Sequence, residues 1–135
     1  MIFGIGTDIL EISRIDKILK KYNQTFVSRI FGSNEIKIIE NKSKNMSFFL
    51  AKRFAGKEAL WKALSPKRGD GLIFKEIEIL NNPNGKPYLL FSGRTQKYIM
   101  NKEIELNKKL IFDISISDEP PYVLAFVVIS LAPLV

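Results

Sequence analysis

LIFDISISDEPPYVLAFVVI, residues 110–129, decides the fold. Leu110, Phe112, Ile114 and Ile116 alternate with Ile111, Asp113, Ser115 and Ser117. That period of two is the pattern of a strand with one buried face. Asp118-Glu119-Pro120-Pro121 interrupts it with turn residues, and Tyr122 to Ile129 returns as a continuous apolar run. Two such runs joined by a turn predict an antiparallel hairpin. Further upstream, Ile73 to Leu80 alternates again, with Ile73, Ile77 and Ile79 on one side and Glu76 and Glu78 on the other. The Asn81–Pro87 cluster reads as a turn, and Tyr88 to Phe91 as the returning strand. Ser92 is expected to cap a helix running to about Asn101.

The first half of the chain has a helical period instead. Ser47 to about Leu64 predicts one long helix stopped by Pro66, with Phe54, Trp61 and Leu64 making core contacts. Gly56 costs about 1 kcal/mol against alanine inside a helix, which implies close packing there. Ser13 is expected to N-cap an earlier helix, with Asp16 at the capping-box position and Ile15, Ile18, Leu19 and Tyr22 as its apolar face. Thr25 to Phe31 reads as a further helical turn, and Ser33 as the cap of Asn34 to Glu40. Asn41 to Asn45 is expected to be a surface loop. Ile2 to Thr7 reads as a short buried strand, with Asp8 where it runs out. Helices early and hairpins late predict an α+β fold, a mainly antiparallel sheet packed with a long helix, in a single domain spanning residues 1–135.

The 135 residues include no cysteine and no histidine. This excludes thiol nucleophiles, disulfides, Cys/His zinc sites and Ser-His-Asp triads. Catalysis must then use carboxylates, lysine, hydroxyls, backbone amides or an oxygen-ligated metal. The net charge is +7, and it is uneven: residues 1–68 hold 14 basic and 6 acidic side chains, residues 69–135 hold 7 and 8. A basic surface confined to one half attracts polyanions, although a solvated lysine-rich face is the simpler alternative. Neither the apolar start nor the apolar end reads as an export signal or a membrane span, so a cytoplasmic location without membrane association is expected.

Asp8, at the end of an apolar strand, suits a metal ligand or a turn cap. Glu58 and Lys62, spaced i,i+4, share one helix face; as a plain surface pair they would contribute about 0.3–0.5 kcal/mol. Ala51, Ala55, Gly56, Ala59 and Ala63 are expected to leave room for a ligand beside Glu58. With no histidine available, Asp8 and Glu58 are the natural pair for Mg²⁺, and Lys62 could stabilise phosphate charge. Asn84-Gly85-Lys86-Pro87 makes a good hairpin turn, and such a rigid turn could also hold an adenine or a phosphate. Lys44 and Arg53 are further phosphate candidates.

Taken together, Gly4-Ile5-Gly6-Thr7-Asp8-Ile9, Arg53-Phe54-Ala55-Gly56-Lys57-Glu58-Ala59 with Lys62-Ala63, Asn84-Gly85-Lys86-Pro87 and Ser115-Ile116-Ser117 resemble the holo-[acyl-carrier-protein] synthases, the small 4'-phosphopantetheinyl transferases. The likeness runs from residue 2 to about 130. It implies transfer of the phosphopantetheine arm of coenzyme A to a serine of an acidic apo acyl carrier protein, in support of fatty acid biosynthesis. It further implies Mg²⁺ held by Asp8 and Glu58, Lys62 on the phosphates, and coenzyme A contacts from Lys44, Arg53 and Asn84 to Pro87. Glu58, Lys62 or a metal-bound water would take the serine proton, and the sequence does not choose. The carrier would dock on Arg14, Lys17 and Lys21 with Phe26 as an apolar contact. A homotrimer with sites at subunit clefts is implied too, using the apolar C-terminal strand and the small-residue helix face. One position departs: Asp118 stands where the family usually has histidine, and is expected to order a water or to pair with Lys86. A basic nucleic-acid-binding module is the alternative from another class, disfavoured by the scarcity of basic–aromatic pairs on the late strands. A non-catalytic binder of coenzyme A or carrier is a third.

Overall fold

The computed structural model describes residues 1–41 and 46–135. Its elements are β1 (Ile2–Glu11), α1 (Ile12–Ile30), α2 (Ser33–Glu40), α3 (Met46–Leu64), a 3₁₀ turn (Phe74–Glu76), β2 (Ile77–Asn81), β3 (Pro87–Phe91), α4 (Gly93–Leu106), β4 (Lys109–Glu119) and β5 (Tyr122–Ala132). The α+β expectation holds. β1, β5 and β4 form one antiparallel sheet in that order, and β2 and β3 form a separate hairpin. No helix among the described residues is long and apolar enough to cross a membrane.

The sheet turns Val123, Ala125, Val127 and Ile129 of β5 inward, with Leu110 and Ile114 of β4, onto α3. Alternation, here as in the sequence, is what separates the two faces. α3 answers with Leu50, Ala51, Ala55, Ala59, Leu60 and Ala63, all buried. Its small residues are therefore filled from within the chain, and leave no space for a ligand. The reason lies in β1: a Cβ on Gly4 would overlap the carbonyl oxygen of Ala63, and one on Gly6 that of Ala59. Strand and helix thus meet backbone to backbone. Gly6→Ala is expected to destabilise the fold by about 2–3 kcal/mol, the cost of an unrelieved overlap, read as a lowered urea midpoint. Gly56 is a close-packing site as expected, against Ile79 and Ile114.

Several local expectations are corrected. β1 does not stop at Thr7; it pairs with β5 as far as Glu11, so Asp8 lies within the strand, opposite Ala125. Glu11, not Ser13, precedes α1; the Ser13 hydroxyl donates to Glu11, and Asp16 instead accepts from Ser47. α1 joins the two predicted helical pieces across a kink at Tyr22. Gly32 rather than Ser33 is the N-cap of α2. Residues 74–76 form a 3₁₀ turn, so only Ile77 onward is strand. Glu78 does not face solvent: it is buried and accepts from the backbone N–H groups of Asn34 and Glu35 and from the Asn34 amide, capping α2. Glu76 does the same for α4, accepting from the N–H groups of Arg94 and Thr95, a role predicted for Ser92, whose side chain makes no cap bond. α4 runs on to Leu106. Trp61 is a half-exposed residue at the rim of the core.

Candidate active site

Gly6 and Ala59 in contact bring Asp8 on β1 towards Glu58 on α3. Lys62, one helical turn beyond Glu58, donates to the carbonyl oxygen of Thr7 at 2.9 Å and reaches Asp8 Oδ1 at 3.5 Å. The i,i+4 partner expected for its ammonium was Glu58; the hydrogen bonds it makes are to β1. Burial raises the pKa of Asp8 from its ordinary value, opposed by Lys62 and Arg14. Burial also raises that of Glu58, reinforced by the charge of Asp8 and opposed by the same two cations. Two half-buried carboxylates, the charge of Asp8 acting on Glu58 and each pushed toward its protonated form, define a site that a hard cation would relieve. Among the described residues no group of three or more acidic side chains is placed to hold a metal ion, so this site offers two carboxylates, and oxygens of water and phosphate would complete an Mg²⁺ shell. The donor chemistry fits that ion.

A cleft of about 560 Å³ lies elsewhere on α3, lined by Phe48, Phe49, Lys52, Arg53, Gly85 and Pro87 among others. At 100° per residue, Arg53 projects about 140° away from Glu58 around the helix. Arg53 is buried; its guanidinium donates to the carbonyl of Ile79 at 3.1 Å and to Asn81 Oδ1 at 2.7 Å, and lies over the Phe49 ring. Burial lowers its pKa to about 10, against the opposing charge of Glu35. Arg53 thereby ties the β2–β3 hairpin to α3. Gly85, at φ 89°, closes that hairpin's turn with Asn82, and Lys86 N–H donates to Asn84. Asn84 and Lys86 sit exposed at the tip, and Gly85 and Pro87 at the cleft. Lys44 lies outside the described residues.

Asp118 is bound at 2.8 Å by Lys52, and not by Lys86. Lys52 also stands over the Phe48 ring and lines the cleft. Sequence reasoning missed Lys52, whose signal was its place one residue before Arg53. It also missed Asn81, which anchors Arg53. Arg14, Lys17 and Lys21 lie exposed along α1, and Arg14 is near enough to Asp8 and Glu58 to act on both charges. Phe26 is half-buried, its ring centroid 6.0 Å from that of Phe54.

Residues 4–126 match the model of the 4'-phosphopantetheinyl transferase superfamily, and the chain belongs to that family. Among its relatives, a holo-[acyl-carrier-protein] synthase of Orientia tsutsugamushi (strain Boryong) is 44% identical over 131 residues, spanning 96% of this chain and 98% of the relative. The holo-[acyl-carrier-protein] synthase of Neisseria meningitidis superposes with a TM-score of 0.84 at 36% identity, over 96% of this chain and 99% of that one. The Bacillus anthracis enzyme of the same name, solved in complex with CoA (3',5'-ADP), gives a TM-score of 0.76 at 34% identity over 98% of both chains.

Proposed function

We propose that the protein is a holo-[acyl-carrier-protein] synthase, transferring 4'-phosphopantetheine from coenzyme A to a serine of an acidic acyl carrier protein in the cytoplasm, to serve fatty acid biosynthesis. The observation that carries this reading is the cluster of Asp8, Glu58 and Lys62 where β1 meets α3. The serine oxygen bonds to the phosphorus bearing the pantetheine arm, and the bond from that phosphorus to the bridging pyrophosphate oxygen breaks. Adenosine 3',5'-bisphosphate departs. Mg²⁺ on Asp8 and Glu58 would neutralise pyrophosphate charge. Lys62, held by Thr7, adds a fixed positive charge beside it. A carboxylate has two oxygens, so Glu58 can hold the ion and still accept the serine proton.

The cleft suits the nucleotide end of coenzyme A: Phe48 and Pro87 offer apolar surface for a base, and Lys52 and Arg53 offer positive charge. In this chain Lys52, steadied by Asp118, supplies cationic character near the position the family gives to histidine. None of Asp8, Glu58 and Lys62 lines that cleft. A homotrimer, in which the cleft of one subunit faces the carboxylates of the next, would join the two halves. The outer face of the three-stranded sheet supports it, since Ile5, Ile9, Leu124 and Phe126 are exposed there, an apolar patch suited to a subunit interface.

Incubation with apo acyl carrier protein, coenzyme A and Mg²⁺ is expected to give a phosphopantetheine adduct by mass spectrometry; no adduct at high enzyme levels rejects the reading. In the same reaction, reversing Arg14 and Lys21 to glutamate is expected to raise KM for the carrier about tenfold, with KM for coenzyme A changed less than about twofold. Equal changes would remove α1 as the docking face.

A further inference from the structure

Glu58 shares its flank of α3 with an exposed aromatic residue. Trp61, the single tryptophan of the chain, is 36% exposed. At 100° per residue, Phe54 and Trp61 project on one side of Glu58, and Lys62 projects on the other, toward β1. The indole packs edge-on to Phe74 at 5.7 Å; Phe74 packs on Phe54 and Phe54 on Phe26, each at 6.0 Å. A row of rings therefore runs from α1 to the edge of the carboxylate pair. Phe26, Phe54 and Phe74 are half-buried, and Trp61 is the open end. None of the four lines the nucleotide cleft.

We propose that Trp61 is a specificity-determining contact for the carrier, the apolar anchor on which an acidic protein seats while its serine meets Glu58. This rests on the transferase reading. Three observations select that occupant over the coenzyme A arm. The indole continues, ring by ring, from the helix bearing Arg14, Lys17 and Lys21. Glu58, three residues before Trp61 on α3, feels the charges of Lys62 and Arg14, both exposed, so the apolar spot adjoins cationic side chains. An exposed aromatic anchor within a charged rim is the anatomy of a protein interface, and its charge selects an acidic partner. The nucleotide cleft, finally, opens on another flank of α3.

The lone tryptophan makes the test direct. Titrating the protein with an apo carrier free of tryptophan, without coenzyme A, is expected to shift the indole emission to the blue and to saturate. Coenzyme A alone leaves the emission unchanged. Trp61→Ala is expected to raise KM for the carrier about tenfold while KM for coenzyme A moves less than about twofold, and Trp61→Phe to recover part of the loss. An emission change with coenzyme A alone, a rise in its KM, or no response to the carrier overturns the proposal. The titration reads docking without turnover, so it decides this point even if no adduct forms and the transferase reading fails.

Discussion

Glu58→Gln and Asp8→Asn are each expected to lower transfer about a hundredfold or more, the scale of losing a preorganised charge contact at a reacting phosphate. The same substitutions are expected to leave the melting temperature of the metal-free protein unchanged or higher. Both carboxylates are pushed toward protonation by burial, and Glu58 further by the charge of Asp8. Without a cation the ionised pair costs stability, and an amide removes that cost. The pH dependence follows in sign. A carboxyl whose pKa is raised on folding binds more protons in the folded state, so the pair's contribution to stability falls as pH rises from the unfolded value through the folded one. Metal binding needs both groups ionised. Acidification into that window therefore relieves the metal-free fold locally while it disfavours Mg²⁺ binding. Assays with and without EDTA, and melts without metal, check both halves. Retained transfer, or a melting temperature that drops sharply, contradicts the assignment.

Lys57→Ala is expected to cost about 3–5 kcal/mol, the scale of leaving a buried charge unpaired. Lys57 and Glu35 are fully buried and 2.6 Å apart. The ammonium also donates to the carbonyls of Ile30 and Phe74, so one side chain of α3 ties down the end of α1, α2 and the 3₁₀ turn. Burial lowers the Lys57 pKa, and the charges of Glu35 and Glu78 hold it up against that. Glu35 accepts the N–H groups of Gly32 and Ile79 as well, so it cannot leave with its partner. The double variant Lys57→Met/Glu35→Gln is expected to lose less stability than Lys57→Ala, because two neutral side chains leave no orphaned charge. Urea unfolding of the single and double variants reads this. Additive losses would show that the two groups are not coupled.

The β4–β5 hairpin was legible from the sustained alternation of β4 and the apolar run after the Pro120-Pro121 turn, and α3 from a long run of helix formers stopped by Pro66. Asp8, Glu58 and Lys62 were legible because their spacing and residue types leave few other uses. What the sequence concealed depends on distant partners. Glu78 alternates like a solvent-facing strand residue, yet it serves a helix 44 positions away. The small residues of α3 look equally suited to a ligand and to a strand, and only the two glycines of β1, read against them, resolve the ambiguity. Asp118 and Lys52, 66 positions apart in the chain, are adjacent only because β4 crosses α3.

The backbone contact of Gly6 with Ala59 has a consequence for the ion site. Asp8 follows Gly6 by two residues, and Glu58 directly precedes Ala59, so the gauge between the two carboxylates is fixed by main chain resting on main chain. Side-chain repacking in the core can alter their surroundings without widening that gauge. For the Mg²⁺ proposed above, the span the ion would bridge is thereby set at a strand–helix joint, and a missing side chain at position 6 is what keeps that joint tight.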